Sequence, residues 1–216
     1  MALDLGTLGH MPGLRHLSLA SCFDVAPKMV EELLTALSPQ PCALHALNLT
    51  YSLPCPLEGR WLRYCCRLRK LSLYGNHHQV DDQTLLLLNT HCCLLQSLDL
   101  GQCSNVTDTG LIELASQMGD LEWLNLYMCV HLTDQSLVAL ARGSTHGRGC
   151  QLRRLSLYGL DRCTMQGARS LVADARHLRT LELGGGGLPD VGQVERTELL
   201  RSSPQLAFGS VGVLSW

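Results

Sequence analysis

Leucines return along this chain at fixed offsets. From Leu95 the order is L-x-x-L-x-L-x-x-C, with Leu98, Leu100 and Cys103 in place, followed by Val106-Thr107-Asp108-x-Gly110-Leu111. Leu121 opens the same figure again, with Leu124, Leu126, Cys129, Leu132, Thr133, Asp134 and Leu137 in register. Looser copies begin at Leu14, Leu44, Leu68, Leu152 and Leu178. Within each unit the alternating L-x-L predicts a strand with its leucines on one side. The later spacing of i, i+3, i+4, i+7 predicts a helix with one apolar face. In the first unit that helix is Ala26 to Leu37, with Val30, Leu33, Leu34 and Leu37 on its face, stopped by Ser38-Pro39-Gln40-Pro41 because proline cannot continue a helix. A short helix is expected from Leu57 to Cys65. Thr107 or Asp108 caps a helix that buries Leu111, Leu114 and Ala115, and Thr133 or Asp134 caps one that buries Leu137, Leu140 and Ala141. Two more are expected from Met165 to Asp174 and from Gln193 to Leu200.

Self-similarity of this kind marks a solenoid, and the pattern is that of a leucine-rich repeat. The expected fold class is therefore α/β: a curved parallel sheet on the concave side and helices on the convex side. The domain reading is an incomplete N-terminal repeat at 1–13, about seven repeats over 14–205, and a degenerate C-terminal cap at 206–216. No cap is recognisable before Leu14. Either Leu3 and Leu5 form an incomplete strand that covers the edge, or the chain is a truncated or alternative product. The polar, glycine-rich stretch from Arg142 to Cys150 stretches the repeat from Leu121 to 31 residues and reads as a surface loop.

The residues between the leucines point away from the core, so they form columns across the concave face. The first column is His16, Ala46, Lys70, Ser97, Trp123, Arg154, Thr180. The second is Ser18, Asn48, Ser72, Asp99, Asn125, Ser156, Glu182. The third is Ala20, Thr50, Tyr74, Gly101, Tyr127, Tyr158, Gly184. Most of the few aromatics fall there, and exposed Trp, Tyr and Arg dominate binding hot spots. Lys70, Tyr74, Asp99, Trp123, Asn125, Tyr127, Arg154 and Tyr158 are therefore the candidate partner-binding residues. The bland alternative is that tyrosine recurs because it suits a pleated, half-buried surface.

Composition narrows the rest. Hydrophobic residues make up 46% but aromatics only 5%, which suits a stack of small leucine layers. A formal charge of -2 argues against nucleic acid or an anionic membrane as the main partner. No apolar run approaches the ~20 residues of a membrane-spanning helix, and the first residues do not read as a signal peptide. The cysteines number 11. Cys22, Cys103 and Cys129 share one repeat position, with Asn76 as its amide variant. They read as structural fillers donating weakly to turn carbonyls, in a reducing cytoplasmic or nuclear setting.

His77-His78 and His91-Cys92-Cys93 match no standard zinc spacing. Gly184-Gly185-Gly186-Gly187 follows a strand but lacks both the dinucleotide fingerprint and the Gly-Lys-Ser/Thr of a phosphate loop. Asp108 and Asp134 are repeat-equivalent helix starts, where a carboxylate meets backbone N–H groups and the helix dipole. The expectation is no metal, no cofactor and no enzymatic activity.

Leu-x-x-Leu-x-Leu-x-x-Cys followed by Val/Leu-Thr-Asp-x-x-Leu is similar to the cysteine-containing repeats of F-box/LRR proteins. Residues 95–141 carry the resemblance strongly, and 14–94 and 152–206 loosely. The resemblance implies recognition of protein substrates for a Skp1–cullin–F-box ubiquitin ligase. The family's F-box, a helical segment that docks Skp1, usually precedes the repeats. Repeats start here by Leu14, which leaves no room for it. The chain also resembles F-box-free repeat proteins of the mitotic-exit antagonist type. The second expectation is thus an interaction or inhibitory scaffold with no ligase role.

Overall fold

A computed structural model describes residues 13–22, 29, 32–33, 43–53, 60–117, 119–143, 151–185, 188 and 193–209. Most of the helix expected over 26–37 and most of the loop over 142–150 lie outside the described residues.

Among the described residues eight strands form one sheet, all parallel and in sequence order: β1 His16–Ser18, β2 Ala46–Asn48, β3 Lys70–Ser72, β4 Ser97–Asp99, β5 Trp123–Asn125, β6 Arg154–Ser156, β7 Thr180–Glu182 and β8 Ala207–Phe208. The register follows the leucine pattern without slip: Leu17, Leu47, Leu71, Leu98, Leu124, Leu155 and Leu181 are successive partners. A one-residue slip would turn every leucine outward. β8 lies in the stretch where only Leu206 keeps the pattern, and Phe208 takes the leucine's place opposite Leu181.

Helices return the chain between strands: α1 Asp82–His91, α2 Asp108–Gln117, α3 Asp134–Arg142, α4 Met165–Asp174 and α5 Gln193–Ser202. The segment expected as a helix over 57–65 is a 3-10 turn, Arg60–Tyr64, consistent with the prolines at 54 and 56 and their missing N–H groups. Leu111, Leu114 and Ala115 of α2 and Leu137, Leu140 and Ala141 of α3 are buried as their spacing requires. Strands pair at about 4.8 Å while a helix is about 10 Å across, so the stack bends with the sheet inside. The result is an α/β leucine-rich-repeat solenoid.

The core is one continuous apolar cluster from Leu19 to Leu206. Leu17 stays only half-buried in β1, at the end of the described sheet. At ~2 kcal/mol per buried leucine, that layer gains least. Among the described residues no helix is long and apolar enough to cross a membrane.

Candidate functional site

The site is built at the C-terminal rim of the sheet, where each strand turns towards its helix. Two residues past the last leucine of every repeat the backbone is left-handed: Ser21, Tyr51, Gly75, Gln102, Met128, Gly159 and Gly185 have φ between 50° and 75°. Glycine adopts this conformation freely, whereas an L side chain costs about 1–2 kcal/mol. The three glycines at this position signal the column in the sequence. Tyr51, Gln102 and Met128 occupy it despite the cost.

The second column supplies the turn's hydrogen bonds. Thr50 N–H donates to Asn48 Oδ1 at 3.0 Å, Tyr74 N–H to Ser72 Oγ at 3.3 Å, Gly101 N–H to Asp99 Oδ1 at 3.2 Å and Tyr127 N–H to Asn125 Oδ1 at 3.0 Å. Each is a short polar side chain bonding two residues ahead, the job for which Asn, Asp and Ser suit turns. Lateral bonds join the repeats: Thr50 Oγ1 with Ser72 Oγ at 2.8 Å, Asn125 Nδ2 donating to Asp99 Oδ1 at 2.9 Å and Ser156 Oγ to Glu182 Oε2 at 2.6 Å. This satisfaction lets Asn48, Ser72, Asp99, Asn125 and Ser156 be buried. Asp99 carries a strain nonetheless. Burial pushes its carboxyl up to about 6, against the pull of the two hydrogen bonds from Gly101 and Asn125.

Above the polar column the tyrosines lie down on their neighbours. Tyr127 stacks on Tyr158, with ring centroids 5.4 Å apart and an interplanar angle of 8°. Tyr74 stacks on Tyr127 at 6.4 Å and 30°, and Tyr51 meets Tyr74 edge-on at 5.5 Å. Tyr74 and Tyr127 belong to repeats separated by a whole strand. They meet because that strand carries Gly101, where a Cβ would lie 2.5 Å from Tyr74 Cδ2. Tyr51 likewise lies over Gly75, and its hydroxyl donates to Gln102 Oε1 at 2.7 Å. Burial and the neighbouring Tyr51 push the Tyr74 hydroxyl up to about 12, so it stays protonated. The outcome is a ridge of four rings, with Tyr51 at 38%, Tyr158 at 36% and the adjacent Met128 at 42% exposure.

Behind the ridge, Cys and Asn tie successive turns together. Cys103 Sγ donates to Leu73 O at 3.3 Å and Cys129 Sγ to Leu100 O at 3.1 Å, each reaching the preceding repeat. Asn76 Nδ2 donates to Leu49 O and Leu73 O at 2.8 Å, and its Oδ1 accepts from Leu53 N–H at 3.0 Å. Cys22 is half-buried, and its Sγ donates to Ala20 O at 3.7 Å. Burial pushes the Cys129 thiol up to about 12, which keeps it an inert thiol rather than a nucleophile.

The helix starts form a second ladder. Thr133 and Thr164 are the N-caps of α3 and α4, and Asp81 caps α1. The following aspartate instead reaches the next repeat's threonine. Thr107 N–H and Oγ1 donate to Asp82 at 2.8 and 2.6 Å, Thr133 to Asp108 at 2.9 and 2.6 Å, and Thr164 to Asp134 at 2.7 and 2.6 Å. Ser136 Oγ adds a third donor to Asp108. Burial raises the Asp108 carboxyl, but these donors from Ser136 and Thr133 outweigh it and hold the group below its usual range. Gly110 belongs to the motif because a Cβ there would lie 2.8 Å from Asp82 Cα.

The candidate residues thus divide. Arg154 and Tyr158 are exposed, and Lys70, Tyr74 and Tyr127 are half-buried. Trp123, Asp99 and Asn125 are buried, at 6%, 4% and 8% exposure. This corrects the expectation that they stand open on the concave face. Period two fixes the side a residue leaves from, not how deeply its neighbours cover it. Tyr51, Gln102 and Met128 were absent from the candidates because they lie one step beyond the third column. The run of glycines at 75, 159 and 185 was the signal that could have found them. Among the described residues no group of three His, Cys, Asp or Glu side chains could hold a metal ion.

This geometry defines a leucine-rich-repeat protein, and the comparisons agree. The fold is shared with a Leptospira interrogans LRR protein (TM-score 0.57, 21% identity, 95% of this chain and 45% of that one). It is shared with a chain of the yeast Rad7 and Elc1 complex (0.58, 19%, 82% and 44%) and with the TLR13–ssRNA13 complex (0.52, 17%, 94% and 30%). In sequence, 107 residues are 28% identical to the F-box/LRR-repeat protein 4 of Bos taurus, covering 49% of this chain and 16% of that protein. No family model matches. The chain therefore spans about a sixth of that curated relative and less than half of each solved chain.

Proposed function

We propose that this chain is a non-catalytic protein-recognition module, and that its recognition serves substrate selection in a Skp1–cullin–F-box ubiquitin ligase. One observation carries the first half: four tyrosines from different repeats share one open parallel sheet and fix each other's rings. Aromatic anchors held in place before binding lose little entropy when a partner arrives. The ligase half is supported by the match to an F-box/LRR-repeat protein across 49% of this chain, and by the fold likeness to a chain of the Rad7 and Elc1 complex. Trp123 contributes as packing beneath the face.

Affinity capture tests both halves. The tagged chain should recover Skp1 or cullin together with a protein substrate. The variant Tyr127→Ala/Tyr158→Ala should lose the substrate at least tenfold while its far-UV circular dichroism is unchanged. Substrate recovered without Skp1 or cullin in repeated captures would leave an interaction or inhibitory scaffold. Equal recovery by the tyrosine variant would remove the face.

A further inference from the structure

The opposite rim of the same sheet has a different character. The residue before each strand is held by its neighbours' backbones. Arg15 O accepts from His45 and Ala46 N–H, Arg69 O from Gln96 and Ser97, Glu122 O from Arg153 and Arg154, and Arg153 O from Arg179 and Thr180, all between 2.7 and 3.0 Å. These residues therefore stand in rank at the strand spacing, about 4.8 Å apart. The rank and the first strand position behind it are rich in cations. Arg15 stands at the start of β1, Arg69 and Lys70 at that of β3, Arg153 and Arg154 at that of β6, and Arg179 at that of β7. Five of these six are exposed and Lys70 is half-buried. Between the two groups the rank holds Gln96 and Glu122, the latter bonded to Arg153 at 3.3 Å.

The whole chain carries -2, so this rim is positive against the average. The balancing acids at Asp82, Asp108 and Asp134 sit at the other rim, at the helix starts. We infer that the N-terminal rim of the sheet binds an acidic peptide segment running across the strands. The inference rests on the protein-recognition reading above and names the chemistry of the partner. From β1 to β7 the rim spans about 29 Å, which an extended peptide covers with about nine residues. A segment with carboxylates towards both ends meets both cationic groups. A nucleic acid is disfavoured for two reasons. Trp123, the aromatic on this rim, is buried and offers no face for a base to stack on. A long polyanion would also pass over the acidic rim.

The test is fluorescence anisotropy with a fluorescein-labelled oligoglutamate of about nine residues, at low salt. Arg69→Glu/Arg154→Glu/Arg179→Glu should weaken binding at least tenfold, and binding by the parent chain should fall steeply with added salt. If the reversed variant fails to fold, Arg69→Gln/Arg154→Gln/Arg179→Gln should weaken it at least threefold. No binding of oligoglutamate by the parent chain overturns the inference. So does equal binding of an oligoglutamine, variants bound within twofold of the parent, or tighter binding of a single-stranded RNA of matched charge. These readings are independent of the tyrosines. No peptide binding by the parent chain, with its substrate capture intact, overturns this inference alone. Loss of capture by the tyrosine variant concerns the other rim.

Discussion

The two rims of the sheet come from the same repeat but hold their side chains in opposite ways. At the C-terminal rim, side chains are fixed by side chains: Tyr127 on Tyr158, Asn125 on Asp99, Thr133 on Asp108. At the N-terminal rim the backbone is fixed, and an ion pair in the rank joins Arg153 to Glu122, both well exposed. Such an exposed pair contributes little. A rigid aromatic ridge suits affinity and shape selection. Long cationic side chains on a rigid rank suit long-range attraction. The same repeat can therefore vary its N-terminal rim without touching what holds the stack together.

That contrast can be broken first at the C-terminal rim. Asp108→Ala removes an acceptor from Thr133 N–H, Thr133 Oγ1 and Ser136 Oγ. Urea denaturation should show a loss of about 3 kcal/mol, because charged hydrogen bonds are lost and donors are left unmatched. A loss under 0.5 kcal/mol would show that the ladder is ornamental. The carboxyl is held below its ordinary pKa. Its contribution is therefore present above that ordinary value and fades as pH falls through the depressed one.

A smaller effect of opposite sign is expected at Asp99. Its pKa rises from 3.8 to about 6 on folding, so the folded state holds a proton more tightly than the unfolded one. That favours folding below pH 4 and is lost as pH rises through 6. Asp99→Asn keeps an oxygen for the Gly101 and Asn125 donors. It should stabilise the chain by about 2 kcal/mol at pH 7, with the gap closing towards pH 4. A pH-independent difference in thermal melts would contradict this. The smallest effect is at Ser21, left-handed at φ 57°. Ser21→Gly should gain about 1 kcal/mol or less in chemical denaturation, and a loss would place a constraint on the serine side chain.

How much of this could be read from the sequence follows from what each pattern encodes. The strand register was fully legible, because Leu47, Leu71, Leu98, Leu124 and Leu155 repeat an offset that only one pairing satisfies. The choice between threonine and aspartate as cap was open. The structure divides the labour, with threonine capping its own helix and aspartate binding the next repeat's threonine. That bond spans 25 residues or more, and its local marks are the glycines at 110 and 167, packed against Asp82 and Asp134. The burial of Trp123, Asp99 and Asn125 depends on what neighbouring repeats stack above them, which single-strand alternation does not carry. β8 was missed because one leucine, Leu206, is too little pattern, though a two-residue strand needs no more to pair. Tyr74 and Tyr127 were placed on the correct face, but their contact required seeing that Gly101 opens the strand between them.

In the proposed function the partner sits on the sheet side, against the tyrosine ridge. Photo-crosslinking tests it most directly, with p-benzoylphenylalanine placed at Tyr158 on the ridge or at Ile112 on the convex helix α2, both about equally exposed. The captured partner should crosslink from position 158 and not from 112. Crosslinks from 112 alone would move recognition to the helices and contradict it.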